Sequence, residues 1–349
     1  MEIFDIIEDE LDDFMYRLNR PRRNPVFRQR INYMQALDDT DFRIRFRLTK
    51  HAVNYVFLLI VNHISSTTER NYAISPINRL LLTLRYYATG SFLNVVGDFT
   101  GTSKASASRI VNMVSQAIAK LGPQFIKFSD VIKLQQEFYD IARFPRLVGA
   151  IDCTHVPIKS PGGDSAENYR DRKSQFSFNV QTVVSANLKI MDIVARWPGA
   201  AHDQTIFNNS KIKQRFMNKE FGNSLIVGDK GYENTFYLLT PLQNPITPAE
   251  HLYNESQIRS RNVVERTYGV WKNRFPVLSK KIILDVSRVQ PIIVACAVLH
   301  NIAIEMKDDH FEEQIFDHFT ETETELNRNI QDDNVRNHLI NDYFASLLR

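Results

Sequence analysis

Cysteine is almost absent from this chain. Two residues, Cys153 and Cys296, leave no disulfide framework and no cysteine-based zinc site, and a reducing compartment is expected. Long apolar runs are missing too. No stretch approaches the roughly 18 uninterrupted apolar residues a membrane span needs, so no membrane partner is expected. The start, Met1-Glu2-Ile3-Phe4-Asp5, is acidic where a secretory or mitochondrial leader would be basic. What is present is ordinary for a soluble protein: 43% hydrophobic residues over 349 positions, enough for two domains or one large α/β domain with additions.

The formal net charge of +3 conceals an asymmetry. Residues 1–75 are neutral, 76–147 and 148–305 carry +5 each, and 306–349 carry −7, so the chain without its tail is +10. A basic body is compatible with a nucleic-acid partner. The tail, with Asp308, Asp309, Glu312, Glu313, Glu321, Glu323 and Glu325, reads either as a solvated linker or as a phosphate mimic shielding the body. Near the other end, Arg17, Arg20, Arg22, Arg23, Arg28 and Arg30 surround Pro21 and Pro25. Arg43, Arg45 and Arg47 then alternate with Phe42, Ile44 and Phe46. These arginines form either an arm that lies on phosphates or a linker and a helix edge.

A helical section begins at Ser75, an N-cap followed by Pro76, with Leu80, Leu81, Leu84 and Tyr87 at helical spacing up to Gly90. A second helix runs from Phe92 to Phe99 and stops at Gly101; Ser103 caps a third, whose stripe is Ile110, Val111, Val114, Ala117, Ile118 and Leu121. The opposite face carries Lys104, Ser106, Ser108, Arg109 and Asn112. Helix, glycine turn and a helix with a small, basic amino-terminal face make a helix-turn-helix pattern; a plain bundle has the same outline. In the first reading Lys104 and Arg109 contact nucleic acid.

From about Arg146 the period shortens. Strands are expected at 147–153, 176–184 and 190–195, with a turn at Asn187, then a helix from Gln204 to Phe216, a strand at 224–227 and a long helix from about Arg259. This β-β-β-α-β…α order predicts an α/β fold with an RNase H-like core, chemistry at the strand ends, and the helical region in front of it. The expected divisions are 1–74 (basic and helical arm), 75–145 (helix-turn-helix-like region), 146–305 (catalytic domain) and 306–349 (acidic linker and C-terminal helix).

Four carboxylates stand out. Asp152 interrupts the apolar run Leu147-Val148-Gly149-Ala150-Ile151-Asp152-Cys153, and a buried carboxylate is costly unless paired or metal-bound. Asp203 lies between a strand and a helix, where it is equally an N-cap; His202 beside it is a neighbour of the site or local structure. Asp229 ends a strand in Val227-Gly228-Asp229-Lys230-Gly231-Tyr232, a place a turn alone would explain. Glu265 sits at the edge of the stripe Val264, Tyr268, Trp271 and Phe275, with Gly269 and Lys272 on the same edge. Gly269 permits close approach by substrate or another backbone. As a set these suit Mg²⁺ or Mn²⁺, hard ions that take oxygen ligands; two such ions can activate water and stabilise a leaving oxygen at a phosphodiester.

The wording of the motifs resembles the Harbinger transposase-derived nucleases of the DDE superfamily. The matching stretches are Gly149-Ala150-Ile151-Asp152-Cys153-Thr154-His155, Asn168-Tyr169-Arg170-Asp171-Arg172-Lys173, Trp197-Pro198-Gly199 with His202-Asp203, Gly228-Asp229-Lys230-Gly231-Tyr232 and Val263-Val264-Glu265-Arg266-Thr267-Tyr268-Gly269. Leu93 to Phe99 and Thr102-Ser103-Lys104 resemble the family's helix-turn-helix part. The resemblance implies an RNase H-like catalytic domain with Asp152, Asp203 and Glu265 as the DDE triad, Asp229 as an additional ligand, and Mg²⁺ or Mn²⁺ as cofactor. Cys153 departs from it, standing where the family has glycine.

DNA as substrate makes Arg172, Lys173, Lys230 and Lys272 candidates for phosphate contact and implies the nucleus, with the cytoplasm also open. His155 reads as structural. Transposon-encoded members act with a separate Myb-like DNA-binding protein; a homo-oligomer is also open. The alternatives are a domesticated DNA-binding or partner-recruiting protein that keeps the site without turnover, and a metal phosphatase.

Overall fold

The apolar run that Asp152 interrupts continues to Pro157, making an eleven-residue strand β1 (Leu147–Pro157). The structure, a computed structural model, describes residues 30–66, 73–308 and 334–349. The arginines expected in a basic arm before Arg30 and the acidic stretch 309–333 lie outside the described residues. Strand β1 pairs antiparallel with β2 (Ser177–Val184), and β2 with β3 (Ile190–Pro198). On its other edge β1 pairs parallel with β4 (Leu225–Val227), which is parallel to β5 (Leu238–Leu239), giving the order β3-β2-β1-β4-β5. The two-residue β5 is too short to read from periodicity. Leu188, one residue past the expected Asn187, takes the left-handed conformation in the β2–β3 turn, with φ of 65°.

The helices keep their punctuation. Asp38 caps α1 (Asp39–Phe46) and Thr49 caps α2 (Lys50–Ile64). Then come α3 (Pro76–Thr89) and α4 (Leu93–Thr100), closed by left-handed Gly90 and Gly101, and α5 (Lys104–Ala119), whose cap Ser103 accepts from the Ser106 amide. In α1 the alternating aromatic and basic residues wind into a helix, burying Phe42 and Phe46. After α6 (Val131–Ala142), the single helix expected at 204–216 is two, α7 (Asp203–Asn208) and α8 (Lys211–Met217). Ser210 makes the break, its hydroxyl donating to the Phe207 carbonyl at 2.6 Å while accepting from the Lys213 amide at 3.2 Å.

The long helix α9 (Pro248–Arg274) starts well before the expected Arg259. Its start is a capping box, Thr247 and Glu250 satisfying each other's amides, with Pro248 at the first position. Last come α10 (Val289–Glu305) and α11 (Asn334–His338), which runs on through wider turns to Phe344. Helix α10, with the preceding turn from Val286, is long and apolar enough to cross a membrane by length and composition; here it lies mostly buried, packed on α5 and β3.

The described residues from Ile31 onward make one compact unit. The stripe of α5 packs against α10, so the helical region and the sheet share a core. One sheet face lies under α9, with Val264, Tyr268 and Trp271 buried. The other is covered by Leu134 of α6 and by Phe207, Ile212 and Phe216 of α7 and α8, packed with Ile151 and Val183. Residues alternate between these faces along β1, which decides where each candidate side chain goes.

Candidate active site

The parallel pairing of β1 and β4 brings two carboxylates together. Ala150 stands opposite Val227, and two residues further on the two chains are Asp152 and Asp229. Between Val227 and Asp229 only glycine fits, because a Cβ on Gly228 would stand 2.8 Å from Tyr232 Cδ2 and 3.2 Å from Ile151 Cγ2. Asp229 also closes the turn, its Oδ1 accepting from the Gly231 amide at 2.9 Å. Burial pushes the Asp152 carboxyl well above the usual range; the charge of Asp229 adds to this, Arg261 opposes it and Asp203 adds further. One hydrogen bond favours the ionised form, from the Cys153 amide to Asp152 Oδ1 at 2.7 Å.

The α9 side of the sheet supplies four residues, each about one turn from the next. Arg261, buried, reaches Glu265 Oε1 at 2.8 Å and Asp152 Oδ2 at 3.7 Å. The Tyr268 hydroxyl lies 2.7 Å from the Asp152 carbonyl and 2.9 Å from Thr182 Oγ1, fastening helix to sheet. Lys272 donates to Thr154 Oγ1 at 2.7 Å and to the His155 carbonyl at 2.9 Å; burial, helped by the charge of Lys173, pulls its pKa down to about 8. Two of its three donors are thus engaged. A Cβ on Gly269 would meet nothing within 4 Å. The room beside Glu265 is therefore open, and no other backbone fills it.

Asp203 belongs to the opposite face. It is the first residue of α7, with His202 rather than Asp203 in the capping position. Asn179 of β2 donates to Asp203 Oδ1 at 2.8 Å and to the Ala201 carbonyl at 2.9 Å. Across from Asn179 is His155, on the same face as Cys153. Burial pushes the Cys153 thiol well up, with the charge of Asp203 adding to it, and its sulfur lies 3.4 Å from the Tyr232 hydroxyl. His155 Nδ1 is 2.9 Å from Ser177 Oγ, which donates to Asp171 Oδ2 at 3.1 Å. The ring is held by these neighbours.

The sequence pattern missed Arg261 and Asn179. Arg261 is one arginine among several in a polar helix; Asn179 offered a signal, a lone amide in the apolar strand Phe178-Asn179-Val180. Of the expected phosphate contacts, Arg172 lies on the Asp203 side, its Nη2 3.0 Å from His202 Nδ1, and exposed Lys173 is close enough to depress Lys272. Lys230 is exposed beside Asp229. Lys104 and Arg109 are exposed on α5, where Arg109 Nε donates to the Ala105 carbonyl at 3.3 Å.

The donor chemistry suits a hard divalent ion: carboxylates on adjacent strands repel one another and call for positive charge. The geometry is open, since among the described residues no three His, Cys, Asp or Glu converge on one ion position. Asp203 approaches from the far face, and Arg261 stands between Asp152 and Glu265.

The sequence profile described as DDE superfamily endonuclease matches residues 151–301, which takes in all four carboxylates. The human protein named "Putative nuclease HARBI1" is 35% identical over 260 residues, covering 72% of this chain and 74% of that protein. The chain belongs to the Harbinger transposase-derived nuclease family. A bovine relative of the same name is 36% identical over 263 residues with the same coverage. More distant is "Protein ALP1-like" of Arabidopsis thaliana, 24% identical over 314 residues, 82% of this chain and 76% of that one. No solved structure matches significantly. In this Harbinger-family chain the mixed sheet and its flanking helices form the RNase H-like core of a DDE endonuclease.

Proposed function

We propose that the protein is a divalent-metal-dependent DNA endonuclease that hydrolyses phosphodiester bonds at the carboxylate site. The observation that carries this reading is the side-by-side placement of Asp152, within β1, and Asp229, just past the end of parallel β4, with Glu265 on the helix above. We place Asp152, Asp229 and Glu265 at the centre of the metal set. Asp203, oriented by Asn179, completes it from the other face. Bound Mg²⁺ or Mn²⁺, two ions in this proposal, would supply Lewis-acid activation of water and charge stabilisation at the departing oxygen.

The chain's own part is to bind and orient. Lys272, anchored to β1 by two hydrogen bonds, offers its third donor to a phosphate oxygen beside Glu265. Arg172 and Lys173 receive the backbone on the Asp203 side, and the open space at Gly269 admits it. In the overall reaction water adds to phosphorus and the bond to the 3′ oxygen breaks, leaving a 3′ hydroxyl and a 5′ phosphate. Lys104 and Arg109 on α5, with Lys230, make further contacts to the duplex in this proposal. DNA as substrate carries with it nuclear residence beside a cytoplasmic pool, a Myb-like DNA-binding partner protein and self-association; cell fractionation, co-purification and light scattering test these.

One observation favours a second reading, in which the site is retained without turnover: Arg261 already neutralises Asp152 and Glu265. Nicking of supercoiled plasmid decides between them. Mg²⁺- or Mn²⁺-dependent nicking by the wild type that Asp152→Asn abolishes supports the nuclease. Equal background from both proteins leaves the retained-site reading.

A further inference from the structure

Arg261 is the largest attractive charge acting on Asp152; Asp229 and Asp203 both repel it. Its guanidinium spans carboxylates from two different elements, the strand residue Asp152 and the helix residue Glu265. A surface ion pair contributes little, but this one is shielded. Side-chain exposure falls from 37% at Glu265 to 17% at Asp152 and 10% at Arg261, so the guanidinium lies beneath the carboxylates and an ion arriving from solvent meets Glu265 first. The pair on α9 is fixed by helix geometry, since residues four apart share a face. Where a divalent cation held by Asp152 and Glu265 would sit, the protein has a monovalent cation of its own.

We propose that Arg261 is the resident countercation of the carboxylate site, holding Asp152 and Glu265 in place until a divalent ion displaces it. This rests on the reading that the carboxylates take up such ions. A planar guanidinium on a flexible stem neutralises two carboxylates at once and can swing away without moving the helix backbone. The frame does not depend on it, because the Tyr268 hydroxyl, at hydrogen-bond distance from both the Asp152 carbonyl and Thr182, keeps α9 on the sheet. Displacement accounts for a site whose donors suit a metal while no three of them converge among the described residues. It also sets a direction: the protein spends part of its affinity for the ion on removing its own cation, so taking Arg261 away strengthens metal binding. A purely structural arginine would have the opposite effect, since loosening the site weakens it.

The test is calorimetric titration of Mn²⁺ into the full chain, stripped of metal, as wild type, Arg261→Gln, Arg261→Lys and the double variant Arg261→Gln with Asp152→Asn. Removing a unit charge next to a dication is expected to lower the dissociation constant by about tenfold or more in Arg261→Gln. A smaller gain is expected in Arg261→Lys, whose shorter reach and single point charge bridge two carboxylates poorly. The double variant is expected to lose the gain. Should Arg261→Gln fail to fold, Arg261→Lys carries the comparison. Unchanged or weaker binding in the variants while the wild type binds overturns the displacement and leaves the metal site standing, as does a gain that survives Asp152→Asn. Absence of Mn²⁺ binding from every protein overturns the metal site and the displacement with it.

Discussion

Asp152 and Asp229 stand side by side, each two residues beyond the paired Ala150 and Val227, Asp152 in mid-strand and Asp229 just past the end of β4. The family resemblance implies Asp229 as an additional ligand beside a triad of Asp152, Asp203 and Glu265. Strand register ranks it first, as the largest repelling charge on Asp152. Asp203 comes from the other face of the sheet, tied to Asn179. The proposed centre of the site therefore lies where β4 ends beside the middle of β1.

The two aspartates are predicted to differ in consequence. Asp229→Asn keeps an acceptor for the Gly231 amide, so the turn survives, and is expected to lower nicking on the order of 100-fold. Asp203→Asn is expected to cost roughly tenfold, as for a residue supporting the site from outside its centre. Initial nicking rates of both variants against wild type measure this. Equal losses would return Asp203 to the centre.

Gly269 separates stability from function. With nothing near its Cβ position, Gly269→Ala is expected to stabilise α9 by about 1 kcal/mol. The added methyl projects into the open space beside Glu265, so nicking is expected to fall. Thermal unfolding and nicking rates run in parallel check both signs, and a variant gaining stability with full activity would show that DNA does not approach there.

How much of this was legible beforehand follows from what each feature depends on. Asp152 announced itself because one charge in an apolar strand is a local anomaly. The ends of α3, α4 and α5 were local too, written in Pro76, Gly90, Gly101 and Ser103. The start of α9 was equally local in Thr247, Pro248 and Glu250, and was hidden only because the polar stretch after it shows no clear periodicity. Arg261 and the opposite placement of Asp203 depend on which face of β1 meets α9, which residue spacing along the chain does not carry.

Stability should fall in acid through His300. Burial pulls this histidine's pKa down to about 4, and its Nε2 lies 2.9 Å from the Leu188 carbonyl. Below about 6.5 the unfolded chain takes up a proton that the folded chain refuses, so stability is lost as pH falls from about 6.5 towards 4, by about 3 kcal/mol in all. His300→Gln is expected to be less stable at neutral pH and to show a flatter decline over that interval. Denaturant midpoints at several pH values measure it, and an unchanged slope would assign the acid loss elsewhere.

Duplex binding should report Lys173 through salt. The residue is exposed next to Lys272 at the proposed backbone path. If it neutralises one phosphate, Lys173→Gln lowers the slope of log affinity against log salt by about 0.9. Anisotropy titrations in Ca²⁺ at several salt concentrations read the slope, and an unaltered one removes Lys173 from the interface.

The most direct test of the central claim is the anomalous difference density of crystals grown or soaked with Mn²⁺. The account predicts a peak about 2.2 Å from carboxylate oxygens of both Asp152 and Asp229, with the Arg261 guanidinium moved off Asp152. A peak bound elsewhere, or an intact structure in which Arg261 still bridges Asp152 and Glu265 with no density between Asp152 and Asp229, would contradict it.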